Sequence, residues 1–134
     1  MKFDPEYIKL CDCEEIQELH KKFIEGDMFY PTDDKESAYV SIDETTSDTI
    51  YENQWRENLI WLPLEHQIDH KITYLCEKDH EYHYSLYFDS TSETWYLIIY
   101  DAFTDYVLFS EDAYDENILI AKIKLLKKLL KESK

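Results

Sequence analysis

Glycine is almost missing from this chain: Gly26 is the only one in 134 residues, beside three prolines. That scarcity excludes a phosphate-cradling loop and a dinucleotide-binding fingerprint, which use several glycines to bring backbone close to phosphate. It also leaves few positions suited to a tight turn with positive φ. The three cysteines, Cys11, Cys13 and Cys76, are an odd number, and two of them are separated by one residue. Such a set is no disulfide framework, and a reducing, cytoplasmic setting is expected. On a helix, one intervening residue turns two thiols about 200° apart, so Cys11-Asp12-Cys13 is no redox motif either. No apolar run approaches twenty residues and none opens the chain, so neither a membrane span nor a signal peptide is expected. Positive charge is scarce: 14 Lys and Arg stand against 30 Asp and Glu, a net charge of −16. Residues 121–134 hold six of the Lys against one Glu, and the segment from Ser85 to Ile120 holds no Lys or Arg. Direct binding to DNA, RNA or anionic lipid is therefore not expected, because phosphate neutralisation needs Lys and Arg.

What is present is aromatic and acidic. Aromatics make up 16% of the residues, with 12 Tyr, too many for a disordered acidic tail. The length suits one compact acidic domain over residues 1–134, large enough to bury a core. Asp4-Pro5-Glu6 reads as a helix start, with Asp as N-cap and Pro at the first helical position. Ile8, Cys11 or Asp12, Glu15 or Ile16, Leu19 and Phe23 follow at helical steps, and Gly26 suits a C-terminal cap, which predicts a helix over 5–25. Met28-Phe29-Tyr30 predicts a short strand ended by Pro31. Ala38–Ile42 predicts a second strand and Thr49–Tyr51 a third. Residues 26–58 carry nine acids against Lys35 and Arg56, as solvated loops would. Leu59–Leu62 is an apolar run stopped by Pro63. A helix follows from Pro63 to near Leu75, with Leu64, Ile68 and Ile72 as its buried row.

Further on, Tyr82, Tyr84, Leu86 and Phe88 alternate against His83, Ser85 and Tyr87, which predicts a strand over 82–88. Ser90 and Glu93 stand at capping-box spacing before an apolar run. Trp95, Ile98 or Ile99, Ala102, Tyr106 and Phe109 then predict a helix over roughly 92–109, with Asp101 and Asp105 one turn apart on its other side. A last helix is predicted over about 112–132, with Leu119, Ile123, Leu126 and Leu130 as its apolar row and Ile118, Leu125 and Leu129 beside it. Acids at its start and Lys at its end suit the helix dipole, so the Lys tail needs no nucleic-acid role. The fold class expected is α+β: a short antiparallel sheet from about 28–51 and 82–88, packed by about four helices in a single domain.

No catalytic motif is evident, and carboxylate pairs are too numerous for any two to be chosen as acid and base. His66-Gln67-Ile68-Asp69-His70 puts two histidines at i and i+4, a spacing that chelates zinc, and Cys76, His80 and His83 lie close in sequence. Nothing marks a third ligand or a cleft, so solvent-facing histidines are the better reading and a metal-dependent enzyme built on His66 and His70 ranks last. No enzyme activity and no cofactor are expected.

Several spaced features line up with one known group. Tyr7-Ile8-Lys9-Leu10-Cys11, Glu15-Ile16-Gln17-Glu18-Leu19, Gly26-Asp27, and Trp61-Leu62-Pro63 with Gln67-Ile68 form one set. Ser92-Glu93 before Trp95 and the Leu119–Leu126 helix form another. In this order they resemble a family of small phage and prophage proteins of Firmicutes. The resemblance implies a phage setting and carries no activity, cofactor or catalytic residue. It departs after the Trp-Leu-Pro, where Leu64, Glu65 and His66 replace the family's basic residue and acid.

Within Ser85–Ile120 the acids Asp89, Glu93, Asp101, Asp105, Glu111, Asp112, Asp115 and Glu116 are expected to face outward and bind a partner. Carboxylates four apart on a helix lie about 6 Å apart along its axis, while a DNA strand places a phosphate about every 3.4 Å. Such rows approximate a phosphate track. The expected function is thus that of a phage accessory protein that binds and inhibits a host nucleic-acid-processing protein, such as a defence nuclease, through its basic groove. The alternative is a non-catalytic interaction or assembly module, dimeric through the apolar face of residues 118–130. The plainest reading is a solvated acidic face over a Tyr-rich core.

Overall fold

A computed structural model describes residues 3–20, 27–31, 40–41, 59–78 and 81–132. The class is α+β, with four α-helices and two three-stranded antiparallel sheets among the described residues. Internal contacts divide the chain into two units, Met1–Leu64 and Glu65–Lys134. The single sheet expected from residues 28–51 and 82–88 is in fact two sheets, one in each unit.

The first unit begins with α1 (Pro5–Cys11), and the Asp4 carboxylate caps it by accepting from the Glu6 N–H at 2.8 Å. The helix expected over 5–25 breaks at Asp12 and Cys13, both outside helical geometry, and resumes only as α2 (Glu14–Gln17). Residues 21–25 lie outside those described. The break aims the Gln17 side chain inward. Its amide donates to the Cys11 and Trp61 carbonyls at 2.8 and 3.0 Å and accepts from the Trp61 N–H at 2.8 Å. One buried side chain thus does for the strand edge at Trp61 what a neighbouring strand would do. The sheet runs β2 (Val40–Ser41), β1 (Met28–Pro31), β3 (Leu59–Leu62), with Phe29 paired to Trp61. The expected strand at 28–30 is present, and the apolar run 59–62 is a strand too. Of the strand expected at 38–42 only Val40–Ser41 is described, and the one expected at 49–51 lies outside the described residues. Buried Tyr7 donates its hydroxyl to the Pro63 carbonyl. His20 meets Asp27 at 2.8 Å, both side chains nearly closed to solvent, and its ring packs on Phe29 and Trp61.

The second unit opens with α3 (Glu65–Glu77), which buries Ile68, Ile72, Leu75 and Cys76. It starts two residues after Pro63, so that proline precedes the helix and does not sit inside it. Three strands follow in sequence order, β4 (Tyr82–Asp89), β5 (Thr94–Asp101) and β6 (Val107–Ala113), then a 3-10 turn at Asp115–Asn117 and α4 (Ile118–Glu132). Here the sequence reading needs its largest correction. The helix expected over 92–109 is two strands and the loop joining them, and the last helix begins at Ile118, not 112. Trp95–Tyr100 is an unbroken apolar run that satisfies a helical and a strand template equally. Its Trp, Tyr and two Ile favour a pleated surface, and that preference wins.

The two connections, four residues at Ser90–Glu93 and five at Ala102–Tyr106, share one construction. Asp89 precedes Ser90–Glu93 and accepts from the Thr91 N–H at 2.9 Å. Asp101 precedes Ala102–Tyr106 and accepts from Phe103 and Thr104 at 2.8 and 3.0 Å. Each loop carries a non-glycine left-handed residue near its end, Glu93 at φ 54° and Asp105, one residue before the end, at φ 61°. Ser90-Thr91-Ser92-Glu93 is therefore a hairpin loop and not a helix cap. Short polar side chains serve both ends, because each offers an acceptor to nearby backbone N–H groups.

α4 lies against α3, β5 and β6, with Ile120, Ile123, Leu125, Leu126 and Leu129 buried. Among them is Lys122, its side chain 3% exposed, whose ammonium meets Asp69 at 2.7 Å and Glu65 at 2.8 Å on α3. Asp69 also accepts from the Tyr84 hydroxyl at 3.1 Å, which ties in β4. Burial alone pulls the Lys122 pKa down, but hydrogen bonds to Asp69 and Glu65 outweigh it and the pKa is raised. Burial, with Asp69 alongside, raises the Tyr84 pKa and keeps the phenol protonated.

Lys122→Ala empties the space its buried side chain fills and breaks both ion pairs, and is expected to cost about 2–4 kcal/mol in urea unfolding. Lys122→Met keeps the packing and leaves Asp69 and Glu65, 36% and 52% exposed, to water, and is expected to cost clearly less. Because the folded-state pKa is raised, this contribution is complete below the ordinary value of 10.5 and fades as pH climbs through the folded value. The gap between wild type and Lys122→Met is therefore expected to narrow in alkali. At the first hairpin, Glu93→Gly relieves the left-handed penalty and is expected to stabilise by about 0.5–1 kcal/mol. Glu93→Ala removes the same charge but keeps the penalty, and its denaturation midpoint should not rise.

Candidate protein-binding face

The β4–β5–β6 sheet has two unlike faces. Leu97 and Ile99 are buried, and the side chains paired beside them reach the helices: Tyr84 bonds Asp69 of α3, and Glu111 meets Lys128 of α4 at 2.7 Å. The period of two puts the alternate residues on the other side. There the register aligns three rows across the strands: Tyr87, Tyr96 and Asp112; Ser85, Ile98 and Ser110; His83, Tyr100 and Val107. A bulge at Ile99/Tyr100 leaves Leu108 without an opposite residue and restores Val107 to the face of Tyr100. Neither helix of this unit packs on this second face. Tyr87 is 49% exposed and stacks on Tyr96 with ring centroids 5.2 Å apart; the His83 and Tyr100 rings lie 5.5 Å apart. At the β5–β6 loop Phe103 is 83% exposed, with Tyr106 and Val107 also largely in solvent. The sequence alternation over 82–88 identified the β4 part of this face, but the false helix hid its β5 and β6 parts.

The eight acids expected to form one outward belt do not form one. They fall into two groups at opposite ends of β5, a strand of eight residues that spans about 23 Å. Asp89, Glu93, Asp112, Asp115 and Glu116 lie towards the β4–β5 loop, and Asp101 and Asp105 at the β5–β6 loop. Between them Glu111 faces α4, 19% exposed and paired with Lys128. Asp89 and Asp101 are half-buried loop acceptors, and Asp115, though exposed, accepts from the Trp95 indole N–H. Glu93, Asp105, Asp112 and Glu116 are exposed. Asp101 and Asp105 are not one helical turn apart but stand at the start and near the end of a single loop.

A cavity of about 600 Å³ at the first group is lined by Phe88, Ser90, Glu93, Tyr114, Asp115 and Glu116. Behind it Phe88 packs on Trp95 at 5.0 Å. The cavity is aromatic and anionic, which suits a cationic group and repels phosphate. His66 and His70 are both exposed, Cys76 is buried, His83 lies on the sheet face, and His80 is outside the described residues. Among the described residues no group of three or more His, Cys, Asp or Glu could hold a metal ion. Burial and then Glu77 push the Cys76 thiol up to about 11, which leaves it a poor nucleophile. Among the described residues no helix is long and apolar enough to cross a membrane.

The chain matches no protein-family model, and no curated protein or solved structure is significantly similar to it.

Asp101 offers a local test of the β5–β6 loop. Backbone hydrogen bonds from Phe103 and Thr104 hold its pKa below the usual carboxylate value of 3.8. The loop is therefore expected to stay locked above that value and to loosen only as pH falls through the lower folded one. Amide exchange at Phe103 and Thr104, corrected for intrinsic rates, should rise in acid. Asp101→Ala should show the loosened rates already at neutral pH.

Proposed function

We propose that this chain is a non-catalytic acidic binding protein that engages a basic protein groove through its second unit. The observation that carries the reading is the sheet β4–β5–β6: an aromatic face with exposed carboxylates at both ends, on a segment without Lys or Arg from Ser85 to Ile120. A Tyr-rich centre and a polar, charged rim are the composition of protein interfaces. Two acidic poles speed encounter with a basic groove and leave the complex sensitive to salt. Such a groove belongs to proteins that handle nucleic acid. With the resemblance to phage proteins, the partner becomes a host nucleic-acid-processing protein, such as a defence nuclease, bound and inhibited in the host cytoplasm by imitation of its substrate's charge. The imitation rests on two poles and not on helical rows of carboxylates. The apolar residues of 118–130 do not favour the assembly reading, since Ile120, Ile123, Leu125, Leu126 and Leu129 are buried within the chain.

Joint reversal of Glu93, Asp105, Asp112 and Glu116 to Lys tests this while leaving the Asp115–Trp95 and Glu111–Lys128 contacts intact. In a pull-down from host lysate, wild type is expected to retain a protein that either raised salt or added duplex DNA elutes, and the reversed variant to retain none of it. Equal retention by the reversed variant refutes the reading.

A further inference from the structure

We infer that the second face of the β4–β5–β6 sheet is a trough for one extended, arginine-bearing segment of the partner, laid across the strands between two aromatic rows. The inference rests on the reading of this chain as a binder of basic protein, and adds which element of the partner is bound and where. Its basis is the order of side-chain sizes along the face. The outer rows are tall, with Tyr87 stacked on Tyr96 at one side and His83 against Tyr100 at the other. The row between them is Ser85, Ile98 and Ser110, two of three residues being small. Along β5 the outer rows are four residues apart, or about 13 Å between row centres. An extended backbone needs about 4.8 Å of lateral space and fits between the rings. A helix with its side chains is about 10–12 Å wide and does not, once the thickness of the rings is taken from the gap.

Area argues against a second copy as the occupant. Three strands of up to eight residues present a face on the order of 400 Å², whereas a stable interface buries roughly 800 Å² on each partner. Charge then chooses the chemistry of the segment. Asp112 closes one aromatic row, Asp105 lies in the loop beyond the other, and no Lys or Arg occurs in the sequence from Ser85 to Ile120. Lys128, whose ammonium reaches the Ser110 carbonyl, is neutralised by Glu111. Guanidinium groups lie flat on Tyr rings and pair with carboxylates, so arginine matches both features of the rows. The trough floor offers the Ser85 and Ser110 hydroxyls to backbone amides and Ile98 to an apolar side chain. Single-stranded nucleic acid also stacks on aromatic sheet faces, but its phosphates would meet carboxylates here.

The test is an NMR titration of the full chain with a synthetic hexapeptide of alternating arginine and valine. Its glutamate counterpart and a six-nucleotide oligothymidylate serve as parallel probes. The arginine peptide is expected to shift the amides of Ser85, Tyr96, Ile98 and Ser110 saturably, more weakly in high salt, and the other probes to leave them unmoved. Ser110→Trp fills the trough and Tyr87→Ser lowers one wall, neither changing charge, and each is expected to weaken binding at least about tenfold. Shifts confined to the acidic loops, unchanged affinity in the wall and floor variants, or tighter binding of the oligonucleotide each overturn the trough. Should Ser110→Trp not fold, the half-exposed Tyr87→Ser and the wild-type shift map decide. Loss of binding in the four-Lys variant with none in the trough variants sinks this inference and leaves the acidic reading standing. The converse pattern, binding kept in the four-Lys variant and lost in the trough variants, sinks the acidic reading and with it the pairing of arginine with Asp105 and Asp112.

Discussion

The second unit depends on one buried ammonium. Lys122 sits on a helix whose other inward residues are apolar, and an unpaired cation there would be costly to desolvate. Glu65 and Asp69, one helical turn apart on α3, meet it, and Asp69 passes the restraint to β4 through Tyr84. Three elements are thereby held in one relation by directional contacts, which apolar packing alone would not specify. That relation decides which face of the sheet meets the helices, and so which face does not. The aromatic rows on the far side follow from a period of two once the near side is set.

The negative charge of this protein is less uniform in purpose than its sum suggests. Glu65, Asp69 and Glu111 neutralise lysines of α4. Asp4, Asp89 and Asp101 accept from backbone N–H groups where helix or strand ends leave donors without partners. Asp115 takes the Trp95 indole. These carboxylates build the fold, and only part of the acidic surface remains for encounter with a partner. That division is why two poles with an aromatic centre describe the molecule better than a continuous anionic track. In the proposed binding role it shifts weight from charge, which steers association, towards rings, which would hold a bound chain in place.

Much of the local structure was legible along the chain. Asp4-Pro5 marked the start of α1, Ile68 and Ile72 the buried row of α3, and the alternation over 82–88 gave β4 with its faces correctly divided. The failures in the second unit share a cause. Ser90–Glu93 satisfies the pattern of a helix cap because hairpin loops and helix starts need the same thing, a short polar side chain beside unpaired N–H groups. With the loop misread, the six apolar residues from Trp95 to Tyr100 were assigned to the wrong period. The break between α1 and α2 had no local signal at all. It exists so that Gln17 can reach Trp61, a residue 44 positions away.

Composition and order alone established an α+β chain rich in aromatics, with six of its thirteen lysines in the last fourteen residues and its acids free of cations across thirty-six residues. Those are properties of covalent sequence, and no packing can alter them. Tertiary structure alone decided that Asp101 and Asp105 serve one hairpin loop, that Glu111 turns inward to Lys128, and that Tyr87, Tyr96 and Tyr100 share one open face. Each of these outcomes depends on strand register, and register is set by pairs of residues distant in sequence. A shift of one residue would have exchanged the two faces of the sheet.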